Sequence, residues 1–523
     1  MIEWARGYDR TTLSSDLTAA IIVTVMLIPQ SLAYAALAGL PPQVGLYASI
    51  APLLLYAVFG SSRVLAVGPV AVVSLMTATA IGDLARTGTE AYWTMAITLA
   101  FMSGLMLLLM GVLRLGFLAN FLSHPVISGF ITASVLLIAA GQIKVILGLS
   151  VEGHHFMELA MGLLQQASQA HPLSAAIGLA TISVLIWARR SAKPLLQRLG
   201  LGPKLSDGLA KAAPVVSIAV MAFLTWVNQW QDQGVRIVGA VPQGLPPFTL
   251  PSLDWSIWEQ LALPALLISV VGFVESVSVG QTLAAGIFTA MGILLVTLLL
   301  TPALFYVPQA VLSATIVVAV LSLVDLRTLR STWAYSRADF SAVAFTIFTT
   351  LAVGVEVGLM GGVLLSLLLH LYKTSRPHIA EVGLVPGTEY FRNVLRHQVH
   401  TSPYLTSLRV DESLYFANAR ILEDKVNAVV AEPPLLKHLV LQCSAINNID
   451  ASALESLEAI DQRLREAGIK FHLYEIKGPV MDRLQRTGFL SHLSGEVYLT
   501  HYQAVAALAP DILALSKDST PTR

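Results

Sequence analysis

The chain is poor in charge and almost without cysteine. Only 12% of its 523 residues are Asp, Glu, Lys or Arg, about half the share of a soluble domain. That excludes a fold wholly surrounded by water. The single cysteine, Cys443, excludes an internal disulfide framework and a cysteine-built metal centre. An excess of one charge is missing too, since 32 basic residues balance 32 acidic ones. There is no basic nucleic-acid patch, no glycine-rich phosphate loop and no Ser-His-Asp arrangement, and His154-His155 stands without other ligands. The sequence therefore points away from an enzyme and implies no cofactor, no bound metal and no nucleic-acid partner. A cleavable signal peptide is also absent. The first apolar segment follows Arg6 and Arg10, lacks an A-x-A-type site and runs for about 20 residues, enough to span.

What the sequence has in quantity is apolar length. Hydrophobic residues make up 55% of it. Windows of about 20 residues fall near 17–38, 44–59, 65–82, 92–113, 126–147, 173–188, 212–230, 261–284, 287–306, 308–324, 340–354 and 356–372. This predicts a polytopic α-helical membrane domain of about twelve spans in the lipid bilayer. Residues 373–523 have the mixed composition of a soluble domain. The basic residues orient the spans, because short cytoplasmic loops are rich in Lys and Arg. Arg6, Arg10, Arg63 and Arg114 fall on one side with the loop carrying Arg189, Arg190, Lys193, Arg198, Lys204 and Lys211. Arg327, Arg330 and Arg337 join them, against Arg86, Lys144 and Arg236 opposite. Both termini are expected in the cytoplasm.

Several windows contain interruptions. Pro29 and Gln30 sit in the middle of the first, and the third opens on Arg63 to Pro69 before becoming periodic. Broken helices inside a membrane mark the midplane sites of secondary transporters. Gly68-Pro69-Val70-Ala71 reads as a helix start, with Pro69 at the first helical position and the N–H groups of Val70 and Ala71 free to face an anion. The alternative is a proline kink relieved by neighbours. Gln30 is either an interhelical hydrogen-bonding group or a ligand contact. Glu275, in a long apolar run, is either a protonated structural carboxyl or a proton carrier, since ionisable groups at midplane are costly and usually functional. Glu356 is expected near a surface, as a turn or interface residue.

In the tail, Leu405–Val410, Leu439–Cys443 and Phe471–Ile476 read as strands, with helices over Ser452–Ala467 and Val480–Gly488. This alternation predicts a small α/β domain. Asp450 or Ser452 is placed to cap the helix that follows. The expected division is a transporter domain 1–375, a linker 376–397, the α/β domain 398–510 and a disordered tail 511–523.

Pro29-Gln30-Ser31-Leu32-Ala33-Tyr34, Pro41-Pro42-Gln43-Val44-Gly45-Leu46-Tyr47 and Val67-Gly68-Pro69-Val70-Ala71 together resemble the sulfate permease (SulP) family of anion transporters. Gly272-Phe273-Val274-Glu275-Ser276, Gly354-Val355-Glu356-Val357-Gly358 and Thr374-Ser375-Arg376-Pro377-His378 follow in the same order. The tail with Asp450-Ala451-Ser452 is similar to a STAS domain. The resemblance implies two inverted seven-span repeats divided into core and gate, with an anion between the half-helices of spans three and ten. It carries Gly68, Pro69, Val70 and Ala71 to the third-span side of that site, Gln30 and Tyr34 to the first span, and Glu275 to the eighth as the coupling group. Ser452 matches the position phosphorylated in bacterial anti-sigma-factor antagonists. After Ala285, however, the family pattern continues with a basic loop, a ninth span and a tenth half-helix, whereas this chain passes straight to Gly286-Ile287-Phe288. Only Ala284-Ala285-Gly286 is left for a turn. The resemblance thus implies a secondary transporter of small inorganic or carboxylate anions, sulfate or bicarbonate first, by proton or sodium symport or by exchange. It would lie in the cytoplasmic (inner) membrane as a homodimer, with a cytoplasmic protein partner for the STAS domain. The missing segment keeps a second expectation open: a non-transporting membrane anchor that works through its STAS domain.

Overall fold

The computed structural model describes residues 10–60, 68–116, 123–151, 153, 155–200, 202–240, 244, 249–276, 283–299, 301–431 and 435–517. The chain forms two compact units, Met1–Ser366 and Leu367–Arg523. Helices of the first are α1 (Arg10–Leu37), α2 (Pro42–Phe59), α3 (Ala71–Gly82), α4 (Glu90–Val112), α5 (His124–Ile146), α6 (Phe156–Gln166), α7 (Pro172–Trp187) and α8 (Lys193–Arg198). They continue with α9 (Pro203–Lys211), α10 (Ala213–Asn228), α11 (Trp255–Ser276), α12 (Leu283–Leu299), α13 (Gln309–Leu321), α14 (Leu326–Tyr335) and α15 (Arg337–Ala352). The last apolar helix, α16 (Val355–Ser375), runs on into the second unit. Among the described residues, eight helical stretches are long and apolar enough to cross a membrane, and three more apolar helices are shorter. The expected dozen spans therefore resolve into full spans and shorter pieces.

Between apolar helices in lipid, small residues and short polar side chains supply the packing that hydrophobicity cannot. α1 packs against α2 and α12. A Cβ on Gly45 would stand 1.8 Å from the Ser31 carbonyl oxygen, so only glycine permits this approach. Beside it the Ser31 and Ser49 hydroxyls share a 2.7 Å hydrogen bond. A Cβ on Gly292 of α12 would stand 2.7 Å from Thr24 Oγ1. α11 packs on α4 through Ser103 and Ser269, whose hydroxyls are 3.0 Å apart. A second group forms around α13, which meets α5 and α7, while α15 meets α5. α13 is buried along nearly its whole length.

Two expectations about this unit change. α1 runs unbroken through Pro29, because neighbouring helices cover the turn that proline opens. Ala284-Ala285-Gly286 does not form a turn but lies in the first turns of α12, and α11 ends at Ser276.

The second unit is a six-stranded sheet in the order β2-β1-β3-β4-β5-β6. Its strands are β1 (Ile379–Leu384), β2 (Phe391–Asn393), β3 (Leu405–Val410), β4 (His438–Gln442), β5 (Lys470–Tyr474) and β6 (Val497–Tyr498). β1 is antiparallel to both neighbours, and β3 to β6 run parallel. Helices α17 (Ala419–Ala431), α18 (Ala451–Glu466), α19 (Gly478–Arg486), α20 (Phe489–His492), α21 (His501–Leu508) and α22 (Pro510–Lys517) complete it. One face buries Leu408, Leu441 and Leu473 with Leu422 and Leu457, and the other buries Leu405, Val440 and Tyr474 with Ala504 and Val505. The stretch expected as a linker, 376–397, contains β1 and β2. The tail expected to be disordered from 511 forms α22, where Ile512 is buried; residues 518–523 lie outside the described residues. Asp450 caps α18, accepting from the Ala453 N–H at 2.8 Å and the Phe416 N–H at 2.9 Å.

Candidate functional site

α3 is a half-helix. Its 12 residues make about 18 Å, against the roughly 30 Å of a bilayer's hydrocarbon core. It begins two residues later than expected, at Ala71 instead of Pro69. Val70 is the N-cap, extended at φ −124° and ψ 138°, and its carbonyl accepts the first helical bond from Ser74. Pro69 therefore lies outside the helix and fixes the approach to it. The N–H groups without an acceptor in the helix belong to Ala71, Val72 and Val73.

This N-terminus opens on a cavity of ≈ 500 Å³ in the first unit. α1 lines it with Pro29, Gln30 and Tyr34, the chain before α3 with Gly68, Pro69 and Val70, and α3 with Ala71 and Val72. The C-terminal half of α13 and Arg189 close the other side. Gln30 Nε2 donates to Tyr34 Oη at 3.0 Å, which orients both polar groups on one turn of α1. Across the cavity, the Thr315 and Ser322 hydroxyls donate to carbonyls of their own helix, Leu312 at 2.6 Å and Ala319 at 2.5 Å. Arg189 carries the only full charge among the described residues lining the cavity. It stands in a five-residue π-helical turn, Ala188–Ala192, between α7 and α8; such turns favour functional positions because they re-aim side chains.

Six of the seven residues singled out for substrate contact thus meet at one cavity. The seventh, Glu275, is in the last turn of α11, and its side chain lies outside the described residues. Ser452 is exposed on α18 in the second unit. Arg189 was legible only as a loop charge that orients the chain. Apolar walls, a helix N-terminus, an amide and a guanidinium suit a small anion, because positive partial charges act more strongly where water is thinned.

The chain matches the sulfate permease family over residues 13–285 and 279–346 and the STAS domain over 396–504. The family match is thus in two pieces that meet at 279–285. A chloroplastic sulfate transporter of Arabidopsis thaliana is 31% identical over 94% of this chain and 80% of its own. A probable sulfate transporter of Mycobacterium tuberculosis is 29% identical over 96% of both. The fold is that of the murine Slc26a9 anion transporter, with a TM-score of 0.80 at 19% identity over 97% of this chain and 93% of the other.

Proposed function

This chain belongs to the sulfate permease family, as a multi-pass membrane anion transporter with a C-terminal STAS domain, and from that premise we propose that it moves a small oxyanion, sulfate or bicarbonate. The ≈ 500 Å³ cavity carries the reading, because Gln30, Tyr34 and the start of α3 converge there with Arg189. The anion would sit against the Ala71–Val73 N–H groups, oriented by Gln30 and Tyr34. Alternating access would follow from α1 and α3 rocking against α13. Weak uptake of either anion into proteoliposomes, above that of empty vesicles, is the expected result. Uptake of neither would leave the membrane-anchor reading, which the break in the family match at 279–285 favours.

Arg189 supplies the counter-charge opposite α3. Arg189→Gln is expected to raise KM about tenfold, the scale of one lost charge-assisted hydrogen bond, while Arg189→Lys retains most of the affinity. An unchanged KM in the glutamine variant would remove Arg189 from the site.

Coupling rests on Glu275. Glu275→Gln should leave the chain in the membrane but abolish the pH dependence of uptake; intact proton dependence would make it a structural carboxyl. On this reading 1–375 is the transporter domain, the protein is a homodimer of the inner membrane, and Ser452 is a regulatory position met by a cytoplasmic partner.

The distribution of basic residues supports a cytoplasmic side for both termini and for residues 189–211. A cysteine introduced at Lys193 should resist an impermeant maleimide in intact cells and react once the membrane is opened. Background is low because burial pushes the native Cys443 thiol up to about 12. Labelling from outside would reverse the orientation.

A further inference from the structure

The second unit carries a cationic pocket that the transport reading does not use. We propose that the ≈ 300 Å³ pocket formed by Arg392, Arg396 and Arg409 with His378 and His397 binds a phosphate-bearing ligand.

Strand register builds it. Ala380 of β1 stands opposite Arg409 of β3, and Val382 opposite Asn393 of β2. Alternation along β3 puts Leu405, Ser407 and Arg409 on one face. Leu405 is buried with Ala504 and Val505, and Ser407 Oγ meets His501 Nε2 at 2.8 Å. Arg409, next in the row, lines the pocket. The same alternation gives Glu381, the one acid of β1, and Arg392 of β2 backbone positions on the opposite face, and Arg392 lines the pocket from the edge strand.

The cations are held, not merely gathered. Arg409 donates twice to Asp411, Nε at 2.6 Å and Nη2 at 3.1 Å. The same carboxylate meets His378 Nδ1 at 2.9 Å. After β2 the buried Asn393 fixes a turn: its Oδ1 accepts from the Leu395 N–H at 2.8 Å, and its carbonyl accepts from the N–H groups of Arg396 and His397, both at 3.1 Å. Arg392 and Arg396 have no carboxylate partner among the described residues. Three guanidiniums against one carboxylate leave a doubly positive pocket even with both imidazoles neutral.

That charge and geometry select the ligand. Guanidinium forks bind tetrahedral oxyanions with two parallel hydrogen bonds, and two unpaired forks match a dianionic phosphate. A lone phosphate would not fill the pocket, whose volume stands at the lower end of small-ligand sites. The ligand therefore carries a second phosphate or an organic body. The phosphate of a lipid headgroup and that of a soluble metabolite share this chemistry.

The test uses the full chain in zwitterionic nanodiscs and reads arginine modification by phenylglyoxal, peptide by peptide. Inorganic pyrophosphate should slow modification of Arg392 and Arg396 about fivefold or more and leave Arg420 of α17 unchanged if the ligand is soluble. Phosphatidic acid built into the disc should give the same selective protection if it is a lipid. Either pattern supports the site and names its source, and Arg392→Gln with Arg396→Gln should weaken binding of the protecting probe about tenfold or more. Equal rates with and without both probes, or equal slowing of Arg420, would overturn it. None of these readings depends on transport.

Discussion

Restoring a family-like ninth and tenth span between Ala285 and Gly286 should raise anion affinity on the order of thirtyfold over the 523-residue chain. A helix N-terminus acts as about half an elementary charge. At about 4 Å from a monovalent anion, with an effective dielectric of about 20, that half charge is worth roughly 2 kcal/mol, or about thirtyfold in binding. A dianion feels twice the attraction. α3 supplies one such terminus at Ala71. The second would come from the tenth half-helix, and the family match breaks at 279–285, where that segment belongs. Arg189 recovers part of the missing charge, but from an exposed position where water screens it. The unmodified chain is therefore expected to show weak uptake, with KM rather than insertion limiting it. The check is sulfate and bicarbonate uptake by both chains in liposomes at matched protein density. Tight, saturable uptake by the 523-residue chain would show that one half-helix is enough.

The second unit should lose about 4 kcal/mol of stability between pH 7 and pH 5. His501 lies in the core, with Nδ1 2.9 Å from Tyr474 Oη and Nε2 2.8 Å from Ser407 Oγ; burial lowers it to about 3. His472 is lowered to about 4 by burial and by His438 beside it. Its Nδ1 accepts from the Glu496 N–H at 2.9 Å, leaving no lone pair there for a proton. A histidine kept neutral in the fold binds fewer protons than it does unfolded. Stability is therefore intact above the ordinary value near 6.5 and falls with pH until the folded values are reached. Each histidine contributes roughly 2 kcal/mol to the loss by pH 5, large beside the 5–15 kcal/mol of a typical domain. Urea unfolding of the separately expressed second unit, followed by circular dichroism at both pH values, measures it. His472→Asn should flatten the pH slope by about half, and equal stabilities at pH 7 and 5 would show that these imidazoles protonate in place.

The membrane spans, the STAS-like α/β tail and the glycine-proline start of α3 were legible because each rests on local pattern: apolar length, alternation, and residues that forbid helix. Gln30 and Tyr34 were each singled out in the sequence, but their pairing, four apart on one helical face, emerged only in the structure. What was not legible depends on distant neighbours. Pro29 promises a break, yet helices far along the chain sustain α1 through it. β1 and β2 hide in a linker-like stretch because strands of six and three residues gain their order by pairing, β1 onto β3 and β2 onto β1, not from their own sequence. α22 depends on burying Ile512 against the sheet. Arg189 reaches the cavity only through a π-helical turn that no charge count reveals.

The two borders of the sheet are unusually brief: β2 has three residues and β6 only two. A strand row that short offers few unpaired amides to an incoming chain. The C-terminal unit is thereby protected from growing into ribbons or fibrils when many copies crowd a membrane surface. Pairing of two copies through it would draw on helices and side chains more than on the backbone ladder.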